Sequence, residues 1–389
     1  MSAKSTTEIE PDAAASPQEL PTVSIILPVF NEEAQLERCL SSIADQSYPA
    51  IIEVVVADGG STDGTRSVSS KFAKVHVVDN PRRIRPAGLN TAIAAASGDI
   101  IVRVDARTAL APDYVECCVS ALERSGAAIV GGQMRYEAHD ARQRGIVAAM
   151  TSRLGAGPAA FRREGGEPRY VDTVYLGAFR ASTIREMGCY DEWSGGNEDA
   201  ELAWRAQSFG GVYLDPSIKS YYLGRDGLRP LARQFYRYGH NRARTIHKHP
   251  GSLSWRQLAV PALFVGLASP WRRSVLAAYV MVILGRGAVE LTRDPPAVPT
   301  LLAALPTMHA AWGWGFVRGI VRRGLPGLTN GHTSCASSGG SQSRTHLHVT
   351  PIYGSSMNLM RRWYPDVGRQ RNGRTSPSPR RGTRRRYPE

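Results

Sequence analysis

Four short stretches carry side chains whose types and spacing suit chemistry on an anionic substrate. "VVVADGGSTDGT" (residues 54–65) runs from three valines straight into Asp58, Gly59 and Gly60. Glycines there permit close backbone approach and positive φ. A carboxylate offers acceptors only, as a group reading an imide N–H or a ribose hydroxyl would. "DARTALAP" (105–112) sets Asp105, an oxygen ligand suited to a hard cation, two residues from Arg107, whose fork suits a phosphate. "GGNEDAELAWR" (195–205) puts Glu198 and Asp199 at a helix start, where a carboxylate beside apolar residues can serve as a general base. The same acids also complement the helix dipole, with Asn197 as cap.

In "RQFYRYGHNRART" (233–245), Gln234, Arg237 and Tyr238 set an arginine fork, which suits an anion, beside an aromatic ring. They suit the polar face of a basic amphipathic helix equally well. His240, His247 and His249 lack ligand spacing and read as surface residues.

These stretches must be positioned by regular elements. "TVSIILPVF", residues 51–57, 75–78, "DIIVRVDA" and "AAIVGGQM" read as strands. Helices are predicted over 31–46 (capped by Asn31), 62–72, 87–97 and 112–125. Strands apolar on both faces and alternating with helices imply a mostly parallel sheet covered on both sides. In such a sheet ligands bind beyond the carboxyl ends of the strands. Three polar loops, "PVFNEE", "DGGSTDGT" and "DARTALAP", would share that rim.

The 389 residues, 42% hydrophobic, allow a large core. Five scattered cysteines form no metal spacing and suit a reducing compartment. Residues 1–21 have no apolar core of a signal peptide and read as a disordered leader. Of the net charge of +14, residues 325–389 supply +9, from eleven arginines against two acids in a Ser/Gly/Pro-rich tail. This pattern implies a disordered basic tail and no specific nucleic-acid binding. Residues 297–317 contain no charged side chain and are long enough to span a bilayer. The shorter stretches 258–271 and 274–285 fit interfacial or re-entrant helices. Arg318, Arg322 and Arg323 then favour a cytoplasmic end.

Together "VSIILPVFNEE", "VVVADGGSTDGT", "GLNTAIAAASGDIIVRVDAR" and "GGNEDAELAWR" resemble family 2 inverting glycosyltransferases, nearest in pattern to the succinoglycan-type exopolysaccharide glucosyltransferases. The resemblance covers residues 22–320. It implies a GT-A nucleotide-diphospho-sugar transferase fold over 22–250, followed by membrane-associated helices over 251–324. It further implies that Asp58 holds the uracil or ribose of a UDP-sugar, with Pro28, Phe30 and Glu32 walling the base. Asp199 would be the base that deprotonates the acceptor, helped by Glu198. Gly177, in "YLGAFR", would leave space on the acceptor side, and Gln234, Arg237 and Tyr238 fit the family's Q-x-x-R-W pattern with Tyr for Trp.

One departure stands out. Where the family usually reads DADDxLxP, this chain keeps Asp105 and Pro112 but has Arg107 and Thr108 for the next two acids. Arginine cannot ligate Mg²⁺ or Mn²⁺, so metal dependence below the family norm is expected, with Asp105 the remaining ligand. The implied reaction is hexose transfer, with glucose from UDP-glucose as the expected donor, to a lipid-linked glycan on the cytoplasmic face of the cell membrane. The alternative is a catalytically degenerate nucleotide-sugar-binding scaffold. A dinucleotide oxidoreductase is excluded by the lack of G-x-G-x-x-G after the first strand. A pyrophosphorylase is excluded by the lack of a glycine-rich basic first loop.

Overall fold

Alternate residues of each central strand serve two different cores. In β1 (Val23–Val29), Ile25 and Leu27 pack on one face of the sheet and Ile26 on the other. In β2 (Ile51–Asp58), Val54 and Val56 oppose Val55 in the same way. That is the period of two expected of a strand buried on both sides. The computed structural model describes residues 19–157, 159–193 and 196–322. The expected basic tail and all but the last three residues of the expected leader lie outside the described residues.

The chain first alternates: β1, α1 (Glu33–Ala44), β2, α2 (Thr65–Ser69), β3 (Val75–Asp79), α3 (Arg85–Ala95) and β4 (Ile100–Arg103). There follow β5 (Thr108–Leu110), α4 (Tyr114–Ser125), β6 (Ile129–Glu137), α5 (Ala141–Thr151) and α6 (Arg153–Ala156). Then come β7 (Arg169–Val171), β8 (Tyr175–Arg180), α7 (Ala181–Glu186), α8 (Glu198–Ala206) and β9 (Val212–Leu223). Four helices close the described chain: α9 (Leu228–Lys248), α10 (Ala259–Ala268), α11 (Arg272–Leu291) and α12 (Val298–Val321).

The sheet order is β3-β2-β1-β4-β8-β6-β9-β5, with β7 on β9. The first four strands in that order are mutually parallel, and β8 turns the direction against both β4 and β6. The α/β sheet of the GT-A class is therefore parallel on one side and mixed on the other. Strand order reverses between β1 and β4, the switch point where ligands enter open α/β sheets.

Several expected boundaries move for physical reasons. The first helix begins at Glu33, because Asn31 adopts φ 51° and its amide oxygen accepts from Thr62 N–H at 2.8 Å. Asn31 fastens a neighbouring loop and does not cap the helix. "DARTALAP" is not all loop: Thr108–Leu110 pairs antiparallel with β9.

The apolar C-terminal stretch also departs from expectation. Residues 297–317, expected as the bilayer span, form most of α12, which buries Leu301, Ala304, Leu305 and Met308 in a core shared with Ile146 and Met150 of α5 and Leu231 and Phe235 of α9. The two long helices touch backbone to backbone. A Cβ at Gly239 would lie 2.0 Å from the Trp312 carbonyl oxygen, and one at Gly315 would lie 2.1 Å from that of Tyr236. Among the described residues, the helix long and apolar enough to cross a membrane is instead Arg272–Leu291, into which the expected short stretch 274–285 extends. Only 17% of its most apolar window is buried. Leu276, Met281, Val282 and Leu284 of α11, with Trp271 just before it, are exposed.

Candidate active site

The loops after β1 and β2 are laced together by side chains. Ser61 Oγ accepts from Asn31 N–H at 2.9 Å, Thr65 Oγ1 accepts from Glu32 N–H at 3.0 Å, and the Glu33 carboxylate accepts from Gly64 N–H at 2.8 Å. Asp58 ends β2 inside this knot. Its Oδ1 accepts from Ser61 N–H at 3.0 Å and Ser61 Oγ–H at 2.5 Å, and its Oδ2 accepts from Arg66 Nε at 2.5 Å. Burial alone would raise its carboxyl, but these Ser61 and Arg66 bonds outweigh that and hold it below the usual carboxylate range.

The Asp58 side chain is fully buried, and its contacts are with Ser61 and Arg66. A carboxylate bonded to its own loop through both oxygens fixes the loop's shape. Phe30 is 52% exposed and lies along Gly59, where an added Cβ would meet its Cδ2 at 3.4 Å.

A cavity of about 250 Å³ opens at the switch point. Pro28 lines it from the end of β1, Glu32 from the loop after that strand, and Asp105, Ala106 and Arg107 from the segment after β4. Arg85 enters from α3, Tyr222 and Arg225 from the end of β9, and Arg237 from α9. Four guanidinium groups thus face two carboxylates, a balance suited to a diphosphate. Arg107 lines this cavity and donates through Nε to the Glu32 carboxylate at 3.0 Å.

Behind the cavity, Gln234 accepts from Arg225 Nε at 3.1 Å and donates to Tyr238 Oη at 2.7 Å. Gln234 and Tyr238 therefore brace Arg225 and do not line the cavity as the sequence pattern suggested. Only Arg237 of that pattern does. Gly177, at φ 124°, is also away from it: a Cβ there would meet the Phe179 ring at 3.0 Å and Ile129 at 3.4 Å. Those two side chains, together with Asp199, line a small separate crevice.

The acids from "GGNEDAELAWR" reach the site through a residue the sequence reading passed over. Arg103, the last residue of β4, is 1% exposed. Its Nε and Nη2 donate to Asp105 Oδ1 at 3.3 and 3.2 Å, Nη2 donates to Glu198 Oε1 at 3.4 Å, and Nη1 donates to Asp199 Oδ1. Its Cζ lies 5.5 Å from the centre of the Tyr190 ring. Arg85 pairs with the same Glu198 oxygen at 3.5 Å. Burial pushes the Asp105 carboxyl up, but Arg103 and Arg85 outweigh it and hold the group below its usual range. Glu198 is buried, whereas the Asp199 side chain keeps 37% exposure. Arg85, Arg225 and Tyr222 were missed as well. Arg103 alone had a readable signal: a charge inside the apolar run "DIIVRVDA", where an unpaired arginine would be costly.

The three histidines are not surface groups. His240, His247 and His249 are half-buried, and His249 Nε2 lies 2.9 Å from the buried Glu201 carboxylate. Lys248 and Arg205 pair with the same carboxylate. This cluster ties the end of α9 to α8.

Among the described residues no group of three or more His, Cys, Asp or Glu side chains converges as a metal site. The two carboxylates of the cavity are each already bonded to an arginine, Asp105 to Arg103 and Glu32 to Arg107, beside four guanidinium groups in its lining. A hard divalent cation needs several oxygen ligands, and this donor set does not fit one.

Comparisons with known proteins identify the family of the chain. The family model described as glycosyl transferase family 2 matches residues 24–181. The succinoglycan biosynthesis protein ExoA of Rhizobium meliloti (strain 1021) is 32% identical over 312 residues, 76% of this chain and 94% of that protein. The chain belongs to glycosyl transferase family 2. This glycosyltransferase is also 25% identical, over 77% of its length and 97% of the relative's, to a dolichyl N-acetyl-alpha-D-glucosaminyl phosphate 3-beta-D-2,3-diacetamido-2,3-dideoxy-beta-D-glucuronosyltransferase of Methanococcus voltae. In fold it is similar to a mannosyltransferase of Pyrobaculum calidifontis solved with GDP-Man and Mn²⁺, at 22% identity and a TM-score of 0.52, covering 80% of this chain and 91% of that one. The family 2 match runs from β1 to the first residue of α7, so Asp199 and Arg237 lie beyond it.

Proposed function

We propose that this glycosyltransferase moves a hexose, glucose from UDP-glucose, onto a lipid-linked glycan in cell-surface polysaccharide synthesis, with inversion at the anomeric carbon. The observation that carries the reading is the arginine-lined cavity at the switch point with Asp199 held beside it through Arg103 and Asp105. The donor diphosphate occupies the cavity, its charge met by Arg85, Arg107, Arg225 and Arg237. Asp199 takes the proton from the acceptor hydroxyl as that oxygen attacks the anomeric carbon from the face opposite the diphosphate. The bond from that carbon to the diphosphate oxygen breaks, and the nucleoside diphosphate leaves with the electron pair, stabilised by the guanidinium fork of Arg107 and its neighbours. Metal dependence is weaker than the family norm, because Arg107 stands where the second acid would be.

The name of the 32%-identical relative supports the place in exopolysaccharide synthesis. Relatives named as N-acetylglucosaminyltransferases keep the N-acetylhexosamine donors in the test. The exposed apolar face of α11, flanked by Arg272, Arg273 and Arg293, supports membrane attachment, with the transferase on the cytoplasmic face. Incubation of the full chain in membranes with radiolabelled UDP-glucose, UDP-N-acetylglucosamine and GDP-mannose checks the proposal. Label from UDP-glucose should enter the lipid fraction. Transfer from another donor only would overturn the sugar assignment. Donor binding without transfer from any of them would favour the degenerate scaffold, for which Arg107 is the supporting residue.

A further inference from the structure

A strand end buried between two cores is served well by an aliphatic residue, as Ile100, Ile101, Val102 and Val104 show on either side of Arg103. Desolvating a guanidinium costs several kcal/mol unless its partners compensate. The partners here come from two segments far apart in the chain: Asp105, in the cavity wall, and Glu198 and Asp199, at the start of α8. Glu198 is itself buried, and its second oxygen has no hydrogen-bond partner. Its one bonded oxygen faces both Arg103 and Arg85. A planar fork with donors on several edges fixes the relative place of the groups it binds, which a lysine ammonium does not.

We propose that Arg103 is a positioning residue, which holds the base Asp199 at a set place relative to the donor cavity by gripping Asp199 and Asp105 with one guanidinium. The inference rests on the reading of Asp199 as the base. Arg103 touches no substrate: it acts through the two carboxylates. Its loss would leave donor binding to the cavity arginines and misplace the proton acceptor.

The test is a double-mutant cycle in the full chain, with turnover and donor KM measured at saturating acceptor and folding checked by thermal melting. Arg103→Lys keeps the charge and loses the fork. It should lower kcat about 10²-fold, the scale of a small misplacement of a catalytic group, while donor KM changes by less than about threefold. In the Asp199→Asn background the same substitution should cost nothing further, because the group it positions is gone. If Arg103→Lys does not fold, the cycle is run with Arg103→Gln in a Glu198→Gln background, which removes one buried charge of each sign together. Wild-type kcat in the folded variant, a loss carried wholly by donor KM, or full additivity with Asp199→Asn would each overturn the positioning role. Near-normal turnover in Asp199→Asn alone would instead overturn the base assignment, and that outcome is seen without any Arg103 variant.

Discussion

Two buried carboxylate sites lie at the same edge of the sheet and are satisfied in opposite ways. Asp58 finds its partners within eight residues, at Ser61 and Arg66. Asp105, Glu198 and Asp199 depend on Arg103, and two of them come from the far side of the chain. The first is a loop that carries its own counter-charge and can form as soon as β2 and α2 meet. The second exists only when β4 and α8 are already docked. A local knot sets the shape of a surface, whereas a long-range clamp sets a distance between two working groups.

The largest effect should come from breaking the long-range side. Asp199→Asn should reduce transfer on the order of 10²-fold or more while leaving UDP affinity nearly intact, since it removes a base without touching the cavity arginines. Radiolabel transfer and UDP titration calorimetry measure the two separately. Asp58→Ala should do the reverse. Losing a charge-assisted bond of about 1.5–3 kcal/mol loosens the loop, so UDP affinity and melting temperature should both fall, with kcat at saturating donor little changed. A kcat loss as large as that of Asp199→Asn would erase the contrast between the two sites.

Arg107 tests a smaller effect. With Arg85, Arg225 and Arg237 still in place, Arg107→Ala should slow transfer roughly three- to tenfold. Arg107→Asp would add an oxygen ligand and should make the initial rate respond more steeply to Mn²⁺ than in the wild type. Complete loss of wild-type activity in EDTA, with Arg107→Ala as fast as wild type, would show that the cavity arginines do not carry the diphosphate.

The smallest expected effect concerns Glu201, which fastens α8 to the end of α9. Burial would raise its carboxyl, but His249 and Arg205 outweigh that and bring it to about 2, below its ordinary 4.5. A folded-state value below the unfolded one stabilises the fold above about pH 4.5, and that contribution fades as the pH falls towards 2. Between pH 5 and pH 2 the melting temperature of the wild type should therefore drop more steeply than that of Glu201→Gln. Parallel curves would remove the cluster from the account of how α8 is held.

The parallel half of the fold was legible because its strands announce themselves locally, in apolar runs such as "VSIILPV" and "IIEVVVAD" that lead into polar loops. The order of the three rim loops followed from that. Asp105, Arg107, Pro28, Glu32 and Arg237 were placed in the cavity for the same reason: each sits at or just past a strand end or on a helix with a visible polar face. Arg85 and Arg225 were not legible, because their places depend on α3 and β9 crossing the same edge from different parts of the chain. Asp58 was legible in type and position at the end of β2, whereas its bonds to Ser61 and Arg66, which tie the carboxylate to its own loop, were not. For residues 297–317, composition indicated a bilayer span. What the composition did not reveal was that α5 and α9 present a matching apolar face.

The glycine seam between α9 and α12 bears on how this enzyme can be handled. Cutting the chain after Pro250, to discard the apolar helices and keep a soluble catalytic part, would uncover Leu231, Phe235, Ile146 and Met150 in one strip. The same cut would unseat the helix that carries Arg237. Such a shortened chain should aggregate when expressed, and detergent-solubilised full-length protein is the material on which its turnover is to be measured.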